Sequence, residues 1–195
     1  MSSRQQILDA IRQNKPQGKP LPDNFAFDFV YEDPLGQFIE VLHAIGGEAV
    51  CVERVEAIRD EVIQKFPLRK YVASGLPDLG LGNVTIDAQT TPNQLEQLDL
   101  TILPGEFAVA ENAAIWLGSD VLEHRVLPFV CQHLVLVIQR SQIISTMHQA
   151  YARLRVAAYD YGVFIAGPSK TADIEQSLVI GAHGPRSLTV FILNV

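Results

Sequence analysis

The chain has 195 residues, 48% of them hydrophobic and 19% charged, with a formal net charge of −7. Those proportions suit one globular domain with a sizeable core and exclude wholesale disorder. The acidic balance argues against nucleic-acid binding, which needs a basic patch to neutralise phosphates; the longest cationic clusters are as short as Arg69-Lys70. Cys51 and Cys131 are the two cysteines, and no CxxC pair exists. The chain by itself therefore cannot supply a four-cysteine iron–sulfur site. Both cysteines lie in or beside apolar runs and are expected as small core residues. Met1 to Ile7 shows no apolar signal region, and no apolar run approaches the ~18 residues that cross a bilayer. The expected compartment is the cytoplasm.

Taken in chain order, Ser2 or Ser3 caps a short helix through about Gln13, with Ile7, Leu8 and Ile11 on one face. Pro16 to Asp23 holds three prolines and a glycine and is expected as an extended linker. Residues 1–24 thus form a helical arm with a Pro-rich linker, and residues 25–195 an α/β domain. Asp33 as N-cap and Pro34 at the first helical position start a second helix. Its Leu35, Phe38, Ile39, Leu42 and Ile45 recur at helical spacing, and Gly46-Gly47 ends it.

Glu48 to Val52 is expected as a strand, Val55 to Phe66 as a helix and Lys70 to Ala73 as a strand. Residues 75–93 form loop with one short strand near Val84-Ile86. Asp99 to Leu103 is a strand. Phe107 to Gly118 is two short strands broken near Glu111-Asn112. Leu134 to Ile138, all apolar and β-branched or leucine, is a buried strand. Ile143 to Ala158 is expected as the longest helix, Gly162 to Ala166 as a strand, Ala172 to Ile180 as a short helix and Leu188 to Leu193 as the last strand. Short buried strands alternating with amphipathic helices predict an α/β fold with a mainly parallel sheet covered by helices.

Three polar stretches carry the chemistry available to this sequence. In the first, Glu111 and Asn112 interrupt the apolar passage from Phe107 to Leu117. A carboxylate among apolar groups is costly to keep charged, which is how a general acid or base is made. The competing explanation is that both side chains satisfy backbone groups at a strand break.

The second stretch, Ala166-Gly167-Pro168-Ser169-Lys170-Thr171-Ala172-Asp173-Ile174-Glu175, follows a strand and opens the expected helix. Free N–H groups at a helix start, with the hydroxyls of Ser169 and Thr171 and the ammonium of Lys170, suit a phosphate or carboxylate. An ordinary N-cap accounts for the same residues. The GxxxxGK[ST] pattern of a phosphate loop is absent.

The third stretch, Gly181-Ala182-His183-Gly184-Pro185-Arg186, places a histidine, a residue type suited to moving protons, three positions before an arginine that can clamp a carboxylate. A tight turn with Arg186 paired to Asp173 or Glu175 is the simpler alternative. His43, His124, His133 and His148 lack HxH or HExxH spacing, so no metal site is expected. Asp120, Glu123 and Arg125 are expected on a solvated face, and Trp116 in the core. Neither a GxSxG nor a GxGxxG motif occurs.

The run Gly167-Pro168-Ser169-Lys170-Thr171-Ala172-Asp173-Ile174-Glu175, followed by His183-Gly184-Pro185-Arg186, resembles the C-terminal signature of the lactate-utilisation protein C family, also called the LutC/YkgG or LUD-domain family. Phe107 to Ala114 is similar to its central signature. That segment is more usually Ala-Glu-Thr-Gly-Thr, so Asn112 stands where Thr is common and Ala113 where Gly is common. The N-terminal helix and Pro-rich linker also resemble the family.

The resemblance implies a three-layer fold like that of the NagB/RpiA/CoA-transferase group, with helices on both faces of the sheet. It implies a subunit or accessory protein of a system that oxidises L-lactate to pyruvate with iron–sulfur partner proteins. The clusters are expected in those partners, with no cofactor bound by this chain. The alternative is a free-standing enzyme or binding protein for a small anionic metabolite such as a CoA ester, a sugar phosphate or a folate-like compound. The resemblance brings no catalytic assignment, so the roles follow from the polar stretches. Glu111 and His183 are the candidate acid–base groups. Asn112, Ser169, Lys170, Thr171 and Arg186 are the candidate anion ligands.

Overall fold

A computed structural model describes residues 2–16, 18, 29–87, 89–154, 160–172 and 178–194. Its core is a five-stranded, all-parallel sheet of β1 (Glu48–Val52), β2 (Val72–Ser74), β3 (Leu100–Pro104), β6 (His133–Gln139) and β11 (Ser187–Leu193), in the order β1-β11-β6-β3-β2. Successive side chains point to opposite faces of a strand, and here both faces are apolar. Leu134, Leu136 and Ile138 of β6 join one core with Leu188, Val190 and Ile192 of β11. Val135 and Val137 join the other with Leu100, Ile102 and Phe191. A sheet buried on both sides needs a cover on each.

The first cover is α2 (Pro34–Ala44), whose Phe38 and Leu42 are fully buried in the first core. The Asp33 carboxylate accepts from the Gly36 amide at 3.0 Å, and Pro34 begins the helix, as the sequence predicts. The opposite cover is α3 (Val55–Lys65), which buries Ile58 and Val62 in the second core.

A second, four-stranded sheet lies in the connections that leave β3 and β6. It comprises β4 (Phe107–Val109), β5 (Ala114–Gly118), β7 (Ile143–Ile144) and β8 (Gly162–Ile165), in the order β7-β4-β5-β8. Ala108, Ile115 and Leu117 of this sheet face the first core. Phe107, Val109 and Trp116 face away and pack with Ala150 of α5 (Met147–Leu154). A mainly parallel sheet flanked by helices is therefore the architecture, and one flank also carries this smaller sheet. A short α4 (Leu127–Val130) leads into β6. The helix α1 (Ser3–Gln13), capped by the Ser2 hydroxyl, buries none of its residues. The linker expected over residues 16–23 falls mostly outside the described residues.

Four expectations are corrected. Cys51 is exposed, because β1 is an edge strand and the cover on that face reaches Ala49 but not Cys51; Cys131 is buried, which pushes its thiol up to about 11. Val84 to Ile86 forms no strand; both apolar residues pack on the first core from a loop.

The helix expected from Ile143 does not begin there. Ile143 and Ile144 pair in parallel with Ala108 and Val109, and the helix starts only at Met147. Thr146 sets that start. Its hydroxyl accepts from the Gln149 amide at 3.4 Å, while the Gln149 side chain accepts from the amides of Ser145 and Thr146. This is a reciprocal capping box. Residues 155–158, the rest of that expected helix, lie outside the described residues.

The helix expected over Ala172 to Ile180 is replaced by β9 (Lys170–Ala172) and β10 (Leu178–Ile180), an antiparallel pair with Thr171 opposite Val179. β-Branched residues on both strands favour the ladder over a helix. Residues 173–177 lie outside the described residues.

Candidate functional site

The second and third polar stretches fold onto each other. The Ser169 amide donates to the Pro185 carbonyl at 2.9 Å, and the Gly181 amide donates to the Ser169 carbonyl at 3.0 Å. A side chain at Gly184 would meet Ser169 Cβ at 2.9 Å, so glycine permits the approach. Together the two stretches line a cleft of about 260 Å³, with Ser169, Lys170 and His183 as its polar groups and Phe129 and Phe164 as apolar wall.

The geometry of Lys170 differs from an anion ligand's. Its ammonium donates to the Ile45 carbonyl at the end of α2, where cations are favoured by the unsatisfied carbonyls. Gly167 makes this docking possible: its φ is +74°, and a Cβ there would lie 3.0 Å from the same Ile45 oxygen. No helix begins at Ser169 to Ala172, so the free N–H groups that a helix start would present to an anion are absent from this segment. Thr171 is committed to the β9–β10 ladder. The pairing of Arg186 with Asp173 or Glu175 lies outside the described residues.

Glu111 and Asn112 are placed elsewhere and line neither this cleft nor the cavities below. Both are exposed, in the turn between β4 and β5. One Glu111 carboxylate oxygen accepts from the Met147 amide at 2.8 Å, the first amide of α5. Asn112 Oδ1 accepts from the Ala114 amide at 3.1 Å across Ala113, whose φ is +54°. The premise that Glu111 is buried among apolar groups does not hold, and both side chains satisfy backbone donors at the strand break.

Arg186 leaves the cleft altogether. It lines a larger cavity, of about 520 Å³, at the edge where β3, β6 and β11 begin. His133 and Ser187 are the first residues of β6 and β11 and are register partners; His133 Nδ1 lies 2.8 Å from the Ser187 hydroxyl. Burial, then the charge of Arg186, holds the His133 imidazole below its ordinary range, with Asp99 acting in the opposite direction. The Asp99 carboxylate accepts from the amides of Lys70 and Tyr71 at 2.8 and 2.9 Å, and those bonds lower its pKa.

At the opposite edge, beyond the carboxyl ends of β3, β6 and β11, lies a cavity of about 450 Å³ with Glu106, Gln139, Gln142 and Arg153 as polar lining. Open α/β sheets commonly bind ligands on that side. Arg153 lies 4.8 Å above the Phe107 ring and donates to Gln142 at 2.6 Å. The sequence singles out neither His133 with Ser187 nor Glu106 with Arg153. For His133, Ser187 and Glu106 the available signal is positional, since each stands next to the end of a predicted strand; Arg153 lies within the predicted helix and carries no such signal.

The sequence model of the LUD domain family matches residues 70–193, which is more than half of the chain and spans β2 to β11. The chain belongs to the LUD domain family. Among its relatives, Lactate utilization protein C of Shouchella clausii is 27% identical over 159 residues, covering 72% of this chain and 69% of that protein. Lactate utilization protein C of Geobacillus thermodenitrificans is 30% identical over 120 residues, covering 58% of this chain and 48% of that protein. The alignment with the Bacillus velezensis protein of the same name, at 28% identity, covers 60% of its length. This LUD domain chain thus spans from about half to two thirds of those relatives. The crystal structure of a DUF162 family protein from Deinococcus radiodurans has the same fold, with a TM-score of 0.63 at 17% identity over 83% of this chain and 96% of that one. Among the described residues, no helix is long and apolar enough to cross a membrane.

Proposed function

We propose that this LUD domain protein is a component of a lactate-utilisation system, in which it serves the oxidation of L-lactate to pyruvate alongside iron–sulfur partner proteins. The observation that carries this is the cleft in which the two halves of the C-terminal signature meet, in a family whose curated relatives bear the name Lactate utilization protein C. Oxidation of lactate releases two electrons and two protons. Two cysteines are too few for a four-cysteine cluster, so the electrons pass to clusters on the partners. His183 and Ser169, which line the cleft, are the groups assigned to contact the small acid or the partner that handles it. The amphipathic α1, with Ile7 and Ile11 both more than half exposed, supplies an apolar face for docking.

The test is capture of the tagged protein from its own cells grown on lactate and on glucose, with the partners identified by mass spectrometry. Cysteine-rich iron–sulfur proteins recovered more strongly on lactate support the assignment. Bait alone under both conditions removes it. A H183Q chain that restores growth on lactate to a deletion strain as well as the unaltered chain does would remove the role given to His183.

A further inference from the structure

We infer that the cavity where β3, β6 and β11 begin is a binding site for a small organic anion, a phosphate ester or carboxylate attached to a flat apolar group. The inference is independent of the lactate assignment and concerns residues outside the signature cleft.

Charge comes first. The chain as a whole is acidic, at −7, yet this cavity gathers Lys65, Arg69 and Arg186 against the single carboxylate of Asp99. Lys65 is paired with Glu48, and one Asp99 oxygen is held by two backbone amides. Arg69 donates to the Phe66 carbonyl at 2.6 Å and so is fixed at the rim. The exposed guanidinium of Arg186 makes no side-chain hydrogen bond to any described residue, and it brings a planar fork of donors to the cavity that a carboxylate or phosphate can accept from in pairs.

Fixed neutral donors come second. The Arg186 backbone is anchored by its amide to the Gln132 carbonyl at 2.8 Å, beside the His133–Ser187 pair at 2.8 Å. Where Nδ1 accepts the serine proton, Nε2–H of the neutral imidazole remains as a donor. These groups sit on the rigid first residues of two central strands rather than on a loop, which is what holds a binding geometry in place.

Shape comes third. The Phe66 ring lies 5.1 Å from the His133 ring and, with Leu100, gives the cavity an apolar wall. A volume of about 520 Å³ is that of a small-molecule site. An anion alone would leave this wall unused, and an apolar ligand alone would leave the cationic lining of Arg69 and Arg186 unused.

The test uses the full chain and histidine-ring NMR at constant ionic strength, with phenyl phosphate, benzoate and neutral phenol as probes. A saturable shift of the His133 signals by phenyl phosphate or benzoate, and not by phenol, is the expected result; the stronger of the two anions identifies a phosphoryl or carboxyl site. R186Q should weaken that binding by about tenfold or more, the scale of a charge-assisted hydrogen bond, and R186K should restore part of it. The site is overturned if neither anion moves His133, if phenol binds equally well, or if R186Q, folded by its unchanged thermal midpoint, binds as the unaltered chain does.

Discussion

His133 and Ser187 stand side by side at the first positions of neighbouring parallel strands, their side chains 2.8 Å apart, although 54 positions separate them in the chain. The imidazole is half-buried at an edge that also carries Arg186 and Asp99. Its pKa is held below the ordinary 6.5 by burial and then by Arg186. The unfolded chain therefore takes up the proton before the folded one does. Stability from this source is complete above the unfolded value and is lost as pH falls through the lower folded value. Urea unfolding between about pH 8 and pH 5 should show this decline, with a shallower slope in H133N. Parallel slopes in the two proteins would refute the assignment.

β6 contributes side chains to both cores, so its truncations should cost stability. Leu136 is fully buried in the first core, whereas Leu68 is 88% exposed at the rim of the cavity. Leu136→Ala should cost about 3 kcal/mol, from lost transfer energy and the space left behind. Leu68→Ala should stay within about 0.5 kcal/mol of the unaltered chain. Denaturant midpoints of the two variants check the ranking.

Glu111 holds the first amide of α5, so its removal should act on that helix. Glu111→Ala should cost about 1 kcal/mol, the usual worth of a carboxylate at a helix start. Hydrogen exchange should quicken first in the amides of residues 147–150. Loss of lactate growth with unchanged exchange would instead favour a chemical role for this carboxylate.

Ala113 occupies a left-handed backbone position, with φ +54°, and its methyl is fully buried. Left-handed geometry costs an L-residue roughly 1–2 kcal/mol. A glycine here avoids that cost but forfeits about 0.8 kcal/mol of methyl burial. Ala113→Gly should therefore be close to neutral. Ala113→Val, β-branched in the same geometry, should lose about 2 kcal/mol or more. Thermal unfolding of the pair separates backbone strain from packing.

The central sheet was legible because its strands announce themselves locally. Leu134 to Ile138 is an unbroken apolar run, and Asp33-Pro34 carries its own helix start. The failures at Ile143 and Lys170 share a cause. Ile143-Ile144 and Thr171 with Val179-Ile180 suit either helix or strand, and what decides them is a partner strand distant in sequence. Thr146-Met147-His148-Gln149 carries a helix-start signature that places the boundary correctly. The signature cleft was partly legible, since Ser169 and His183 do converge. The separation of Arg186 from His183 was not: a chain entering β11 turns its side chains alternately, and three positions suffice to send the guanidinium to another cavity.

Trp116 is the only tryptophan of the chain and lies in the second sheet, stacked on Phe107 and tilted against Phe164, with the backbone of Gly162 so close that a Cβ there would overlap the indole ring. Intrinsic fluorescence of this protein is therefore a local reporter. It follows the layer between the central sheet and α5, and it is separated from the five parallel strands by the thickness of its own sheet. An emission change on adding a partner or a small acid would locate the event on that flank, while the cavity at the start of β6 could fill in silence.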